Sequence, residues 1–252
     1  MKKRNFLKRV LYYISVPKCV LCGEKLDYED MGLCKKCMVE YIRHKQRNCP
    51  KCSKILSECS CSYKTLEAHG IKKFIKVFRY SKAEQSMPSN YLIYSLKQDN
   101  RSDVLSFLSM ELATAIKCSI DIKTSEFVVT NVPRRKSAIV NYGYDHSKEL
   151  ARAVAKNLGI EYVDILKSKA KKAQKSVYGT ERMLNAAFDY KCDEKFSLKG
   201  KSVILIDDII TTGSSISNSA TLIRGLKPKR IIGACLGTAH KEPYIDFEHR
   251  NR

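Results

Sequence analysis

Two adjacent acids and a hydroxyl-rich loop lie close together in the stretch VILIDDIITTGSSIS, residues 203–217. The acids are Asp207 and Asp208, and the loop residues are Thr211, Thr212, Gly213, Ser214 and Ser215. Hydroxyls and backbone N–H groups at the start of a helix bind an anion such as phosphate, and a glycine lets the backbone approach it closely. Ionised Asp accepts hydrogen bonds from the hydroxyls of a diol, or it holds Mg²⁺. These residue types at this spacing predict a sugar-phosphate site.

The flanking sequence predicts the elements that position this site. Residues 203–206 are a continuous apolar run, which is typical of a strand buried on both faces of a parallel sheet. We expect both acids to emerge, exposed, at the carboxyl end of that strand, and a helix to begin near Ile216. The alternative is a plain strand and turn, because turns and helix caps favour Asp, Thr, Ser and Gly for structural reasons alone.

The order of residues in this stretch also resembles a known signature. Four apolar residues, two acids, two apolar residues and then Thr-Thr-Gly-Ser-Ser are similar to the signature of type I phosphoribosyltransferases, which bind phosphoribosyl pyrophosphate (PRPP). The resemblance implies that the acids and the loop bind PRPP together with Mg²⁺.

Strand and helix patterns alternate through the rest of the carboxyl-terminal part. EFVVTNVPRRK predicts a strand, SKELARAVAKNLGI predicts an amphipathic helix that stops at Gly159, and EYVDIL predicts another strand. This alternation predicts an α/β fold with a mostly parallel sheet and helices on both faces. The loop after the first of these strands is either a solvated turn or a cationic site for pyrophosphate. It contains Val132, Pro133, Arg134, Arg135 and Lys136.

Eight of the 11 cysteines form four close pairs near the amino terminus. They are Cys19, Cys22, Cys34, Cys37, Cys49, Cys52, Cys59 and Cys61. Two thiolates two residues apart grip one Zn²⁺ from a tight turn, so eight predict one or two Cys₄ zinc sites. Disulfides are the alternative, but they belong to secreted chains, and the basic start of this chain has no small-residue cleavage site. The simpler arrangement is sequential, with the first four cysteines on one ion and the last four on the other. An interleaved arrangement of the pairs stays open.

The position of the cysteines divides the chain into two predicted parts. Residues 1–66 hold the basic amino-terminal segment and the Cys-rich double zinc module, and residues 67–252 form the phosphoribosyltransferase-like domain. The formal net charge is +21, with Lys and Arg in excess in both parts. Such a charge predicts an anionic partner, with nucleic acid as the first candidate and a merely solvated Lys-rich surface as the alternative. No apolar run is long enough to span a membrane, and the basic amino-terminal segment leaves peripheral membrane contact open.

The motifs together are similar to the ComF family, the ComFC-type competence proteins, along nearly the whole chain. The similarity lies in the cysteine knuckles, VPRRK…YGYDHSKELA, KAQKSVYGTERMLNAAF and VILIDDIITTGSSI. It implies a role at the cytoplasmic stage of single-stranded DNA import in natural transformation, with the inner face of the membrane as a further location. It also implies a flexible loop over the substrate that contains Gln174, Arg182 and Asn185. His146 lies in a matching segment, where it either orients the loop or takes part in acid–base chemistry.

Three functions stay open on the sequence. The first is a competence factor that binds PRPP and single-stranded DNA. The second is a phosphoribosyltransferase of nucleotide or amide metabolism, which transfers phosphoribosyl from PRPP to a nitrogen nucleophile. The third is an adaptor that recruits DNA or a DNA-import helicase through the zinc module. Whether the chain is an enzyme is therefore left open by the residues.

Overall fold

The structure is a computed structural model that describes residues 16–49, 52–56, 59, 61, 64–80, 87–134, 139–141, 143–169, 188–191 and 196–239. In chain order the elements are α1 (Lys35–Gln46), α2 (Lys64–Ala68), β1 (Ile71–Tyr80), α3 (Pro88–Gln98), α4 (Ser102–Ser119), a 3₁₀ turn (Thr124–Glu126), β2 (Phe127–Asn131), α5 (His146–Leu158), β3 (Glu161–Tyr162), β4 (Leu166–Ser168), β5 (Phe188–Tyr190), β6 (Ser202–Ile210), α6 (Ser214–Gly225) and β7 (Arg230–Ala239). None of the helices in the described ranges has both the length and the hydropathy to cross a membrane.

Five strands form the main sheet in the order β1-β7-β6-β2-β3, and every neighbouring pair is parallel. At its centre Ile204 pairs with Val129 on one side and with Ile232 on the other. β4 and β5 form a separate antiparallel pair. The predicted α/β fold with a mostly parallel sheet is confirmed.

Each face of the sheet carries its own apolar core, because alternate side chains of a strand point to opposite faces. Ile204 and Ile206 of β6 pack in one core with residues of α3, α4 and α5. Val203 and Leu205 of the same strand pack in the other core with residues of α6. All four side chains are fully buried. This two-sided burial explains the unbroken apolar run that precedes Asp207.

The Cys-rich part packs directly on the sheet domain. Tyr41 of α1 is 1 % exposed, and its ring lies edge-to-face against Phe107 of α4 and Phe78 of β1, with centroids 5.4 and 6.3 Å apart. The Tyr41 hydroxyl donates a 2.7 Å hydrogen bond to Glu111. The predicted division between residues 66 and 67 falls within α2, where Leu66 is fully buried in the second core. The two parts thus share core residues, and the division stays a prediction.

One predicted strand is much shorter in the structure. Of EYVDIL, only Glu161 and Tyr162 pair with β2, at the edge of the sheet. Ile165 and Leu166 are buried in the second core instead. The chain leaves the sheet edge after Tyr162 because the side chains of Ile165 and Leu166 pack in the second core.

Candidate phosphoribosyl site and metal centres

The acid pair lies where β6 runs past the end of its neighbour β2. The last pair between these strands is Asn131 with Ile206, so both acids follow it directly along β6. On the other side β6 still pairs with β7, where Asp207 is opposite Cys235. β6 therefore extends beyond the end of β2 and carries both acids at the carboxyl edge of the sheet, where ligands of open α/β folds bind.

The expectation that both acids are exposed is wrong for Asp208. Its side chain is 3 % exposed, because β6 continues to Ile210 and helices cover it. Its Oδ2 lies 2.8 Å from Lys97 Nζ of α3, 2.5 Å from an Arg134 guanidinium nitrogen and 3.0 Å from His146 Nε2. Asp208 is therefore the anionic centre of a buried cluster and not an open ligand group.

His146 orients this cluster from the first residue of α5. Asp145 caps that helix by accepting a 3.1 Å hydrogen bond from the Lys148 backbone N–H, and this fixes where His146 enters the core. His146 is fully buried, and burial lowers its pKa despite the neighbouring Asp208 carboxylate. A neutral imidazole donates Nε2–H to Asp208, so the orienting role that the sequence left open is the one that the geometry supports.

The two carboxyl groups have opposite shifts in pKa. Burial raises the pKa of both groups, but for Asp208 the His146 hydrogen bond and the Lys97 and Arg134 charges outweigh it and hold the pKa well below its usual range. For Asp207, burial and the Asp208 charge raise the pKa well above its usual range. Asp207 is the partly exposed member, and it accepts hydrogen bonds at Oδ1 from Ser147 Oγ (3.2 Å) and from the Asp208 backbone N–H (2.9 Å). A partly exposed acid with a strongly shifted pKa is a candidate for a functional site.

The hydroxyl-rich loop begins α6, as the sequence predicts. Gly213 is the residue before the helix and has φ of 81°, a conformation that favours glycine. A Cβ at this position would lie 3.2 Å from Thr65 Oγ1 and 3.3 Å from Leu66 Cδ2 of α2, so a larger residue would crowd these two side chains. The hydroxyl groups of Thr212 and Ser214 lie 2.9 Å apart. The four side chains around Gly213 are exposed; they belong to Thr211, Thr212, Ser214 and Ser215.

The structure brings part of the predicted pyrophosphate loop to the same site. Val132 and Pro133 are buried, and Arg134 reaches Asp208. Arg135 and Lys136 lie outside the described residues, as do the predicted flexible-loop residues Gln174, Arg182 and Asn185.

Two further site residues were missed by sequence reasoning. Lys97 comes from α3, more than a hundred residues before Asp208 along the chain, and nothing in its local sequence links it to the acid pair. Ser147 directly follows His146 in YGYDHSKELA, a segment that resembles the ComF family. This position next to His146 is the one sequence signal that could have identified Ser147 as a site residue.

The eight predicted metal-binding cysteines form two groups of four in the order of the sequence. In each group the sulfur atoms all lie within 4.8 Å of one another; the groups are Cys19, Cys22, Cys34, Cys37 and Cys49, Cys52, Cys59, Cys61. Cys22 Sγ lies 3.7 Å from Cys34 Sγ, and Cys52 Sγ lies 3.6 Å from Cys59 Sγ. Four thiolates about 2.3 Å from a tetrahedral Zn²⁺ would be about 3.8 Å apart. Both groups therefore fit a zinc ion, and the sequential grouping is the one that the structure has.

The chain matches the phosphoribosyl transferase domain family over residues 146–246. It is 28% identical over 225 residues to competence protein ComFC of Streptococcus pneumoniae, an alignment that covers 82% of this chain and 93% of that protein. It is 22% identical over 218 residues to DNA utilization protein YhgH of Salmonella typhimurium, covering 83% and 92%. A hypoxanthine phosphoribosyltransferase structure from Staphylococcus aureus superposes with a TM-score of 0.34 at 14% identity, over 53% of this chain and 62% of that one. The predicted resemblance to the ComF family is confirmed.

Proposed function

We propose that this ComF-type chain is a DNA-uptake protein that binds PRPP with Mg²⁺ and also binds single-stranded DNA. It acts on the cytoplasmic side during natural transformation. The relatives named for competence and for DNA utilization align over more than four fifths of the chain, which supports the biological role. A DNA-import helicase stays a predicted partner.

The observation that carries the PRPP assignment is the position of Asp207, Arg134 and the loop of residues 211–215, which all lie at or just after the carboxyl ends of the neighbouring strands β6 and β2. The loop offers hydroxyls and the start of α6 to the 5′-phosphate of PRPP. Asp207 offers a carboxylate to the ribose diol. Arg134 comes from the loop after β2 and offers a cation to the pyrophosphate. Each chemical group of the ligand thus has a partner of complementary charge or hydrogen-bonding capacity.

Asp207 also fits as the carboxylate that would hold Mg²⁺, whereas Asp208 is already neutralised. Both hydrogen bonds to Asp207 reach Oδ1, so Oδ2 is the oxygen for a metal or a ribose hydroxyl. A nearby cation lowers the pKa of a carboxyl, so binding relieves the unfavourable state of Asp207. When bound, Mg²⁺ supplies positive charge for the pyrophosphate oxygens.

Binding to single-stranded DNA rests on the net charge of +21, which is spread over both parts of the chain. Filter binding of the full chain to a single-stranded oligonucleotide over a salt series tests it. We expect the logarithm of the association constant to fall linearly with the logarithm of salt concentration, by about 0.7 per neutralised phosphate. Absence of binding at low salt, or affinity that does not change with salt, would contradict the proposal.

The match to a phosphoribosyl transferase domain favours a second candidate, transfer of phosphoribosyl to a nitrogen nucleophile. In that reaction the nucleophile forms a bond to the anomeric carbon as pyrophosphate leaves. Incubation with PRPP, Mg²⁺ and purine bases, pyrimidine bases or ammonia separates the two candidates. Release of pyrophosphate that requires one nucleophile would establish the transferase, whereas PRPP binding without turnover supports a regulatory site.

A further inference from the structure

A basic groove lies at the edge of the sheet opposite to the acid pair. It is a cavity of about 390 Å³, and its lining includes the cations Lys72, Arg224, Lys229 and Arg230. Glu67 is the single acid among the described lining residues. Arg230 of the groove pairs with Ser202, and strands rise about 3.3 Å per residue, so this amino-terminal edge lies roughly 20 Å from Asp208 along β6. The groove is therefore remote from the acid pair.

The cations of the groove belong to a row that crosses three neighbouring strands. Lys72 lies in β1, Lys229 directly precedes β7, and Lys201 directly precedes β6. These strands are adjacent and start in register, since Ile71 pairs with Ile231 and Arg230 with Ser202. Neighbouring strands lie about 4.8 Å apart, so the row is about 10 Å long. That length suits successive phosphates of a polymer better than one small anion.

The charges of this row are held in place but only weakly neutralised. Arg230 stacks on the Phe127 ring at 5.4 Å, and Lys201 Nζ donates a 2.6 Å hydrogen bond to the Ser125 carbonyl. Lys229 Nζ lies 3.6 Å from Glu126, an exposed pair that solvent screens. Lys72 and Arg224 are exposed and have no acidic partner within salt-bridge distance among the described residues. The groove thus keeps a local excess of positive charge.

We propose that this basic groove binds the phosphate backbone of single-stranded DNA, at the sheet edge opposite to the PRPP site. The proposal rests on the DNA-binding function proposed above and gives it a place on the molecule. The described residues that line the groove include no aromatic ring, so the groove contacts phosphates and does not stack on bases. DNA in the groove therefore leaves Asp207, at the opposite edge of the sheet, accessible to PRPP.

The test compares the double variant Lys72→Gln with Arg224→Gln against a control with equal loss of charge, Lys117→Gln with Lys156→Gln. The control lysines are also exposed, near the carboxyl ends of α4 and α5 on the other face of the sheet. We expect the groove variant to bind a single-stranded oligonucleotide about tenfold more weakly at 0.1 M salt. We also expect the slope of the logarithm of its association constant against the logarithm of salt concentration to become shallower by about 1.4, or about 0.7 for each lost phosphate contact. The control should bind like the wild type.

Further measurements separate a specific loss of phosphate contacts from a general effect of the substitutions. An abasic oligonucleotide should show the same loss, because the groove contacts phosphates alone, and PRPP affinity and melting temperature should not change. If the wild type binds DNA and the groove variant matches the control, the groove proposal is wrong while the proposed function stands. If the wild type itself does not bind single-stranded DNA, both are wrong.

Discussion

At the scale of single residues, the two adjacent acids have different tasks although they share one dipeptide. Asp208 is surrounded by Lys97, Arg134 and His146, so its negative charge stabilises the packing of α3 and α5 on the end of β6. Asp207 has no cation within salt-bridge distance among the described residues, and burial and the Asp208 charge make its ionised state unfavourable. Asp208 therefore has a structural role, and Asp207 is the acid proposed to bind a ligand.

Replacement of each acid by its amide should change stability in opposite directions. Asp208→Asn leaves Lys97 and Arg134 without their counter-charge, and we expect the free energy of unfolding at pH 7 to fall by about 2–3 kcal/mol. Asp207→Asn removes an unfavourable charge, and we expect a gain of about 1 kcal/mol. Urea unfolding of both variants measures this. Equal losses of unfolding free energy in the two variants would contradict the assignment of a stabilising charge to Asp208 and an unfavourable charge to Asp207.

The same pair predicts the pH dependence. The folded pKa of Asp208 lies below its unfolded value, so its stabilisation is present above about pH 4 and is lost as pH falls through the folded pKa. The folded pKa of Asp207 lies above its unfolded value, so its destabilising effect appears as pH rises above about 4. On the acid side, the free energy of unfolding should therefore rise less steeply with pH in Asp208→Asn and more steeply in Asp207→Asn than in the wild type.

At this scale the sequence could predict the acids and the loop but not their surroundings. Asp207, Asp208 and residues 211–215 are local, and the apolar run before them fixes the strand. Lys97 reaches the site only through the packing of α3 on the sheet, and no short sequence window contains that contact. Burial of Asp208 follows from the same packing, which explains why the expected exposure was wrong.

At the scale of elements, α1 joins the first group of four cysteines to the sheet domain. Cys34 directly precedes this helix and Cys37 lies in its first turn, while Tyr41 one turn later packs on Phe78 and Phe107. The paired cysteines are close together in the sequence, so the sequence predicts the two groups. The shared core joins residues that are far apart along the chain, and it connects the two parts that the composition separates.

Cys37→Ser should therefore weaken more than the metal site. We expect the purified wild type to contain two Zn²⁺ per chain and Cys37→Ser to contain one. Because Tyr41 is in the shared core, the melting temperature of the whole chain should fall in a single transition, not only that of the amino-terminal part. Elemental analysis and calorimetry measure both. Cys118→Ser, which alters an exposed cysteine outside both groups, is the control and should change neither.

Zinc content at or above two per chain in Cys37→Ser would contradict this account of the metal sites. An early transition that leaves the sheet domain at its normal melting temperature would instead show that the two parts unfold independently, as the composition alone suggests.

At the scale of the whole molecule, the parallel sheet separates the two sites that we propose to bind anions. Its carboxyl edge carries the acid pair, Arg134 and the loop at Gly213, and its amino edge carries the basic groove. α6 runs between them, with Gly213 before its start and Arg224 in its last turn. The parallel order and the position of β6 follow from the strand and helix patterns, whereas the groove arises only when residues of α2, β1, α6 and β7 come together.

The most direct test of the central claim is a calorimetric titration of the full chain with PRPP in the presence of Mg²⁺. Asp207→Asn is the variant, and Asp164→Asn is the control, because Asp164 is also a partly buried acid but forms its ion pairs with Lys148 and Lys191. We expect one PRPP per wild-type chain, unchanged binding in the control and binding about 10- to 100-fold weaker in Asp207→Asn, since a charge-assisted hydrogen bond contributes about 1.5–3 kcal/mol. Wild-type affinity in a folded Asp207→Asn variant, or no binding to the wild type, would show that the acids and loop are only a strand and its turn.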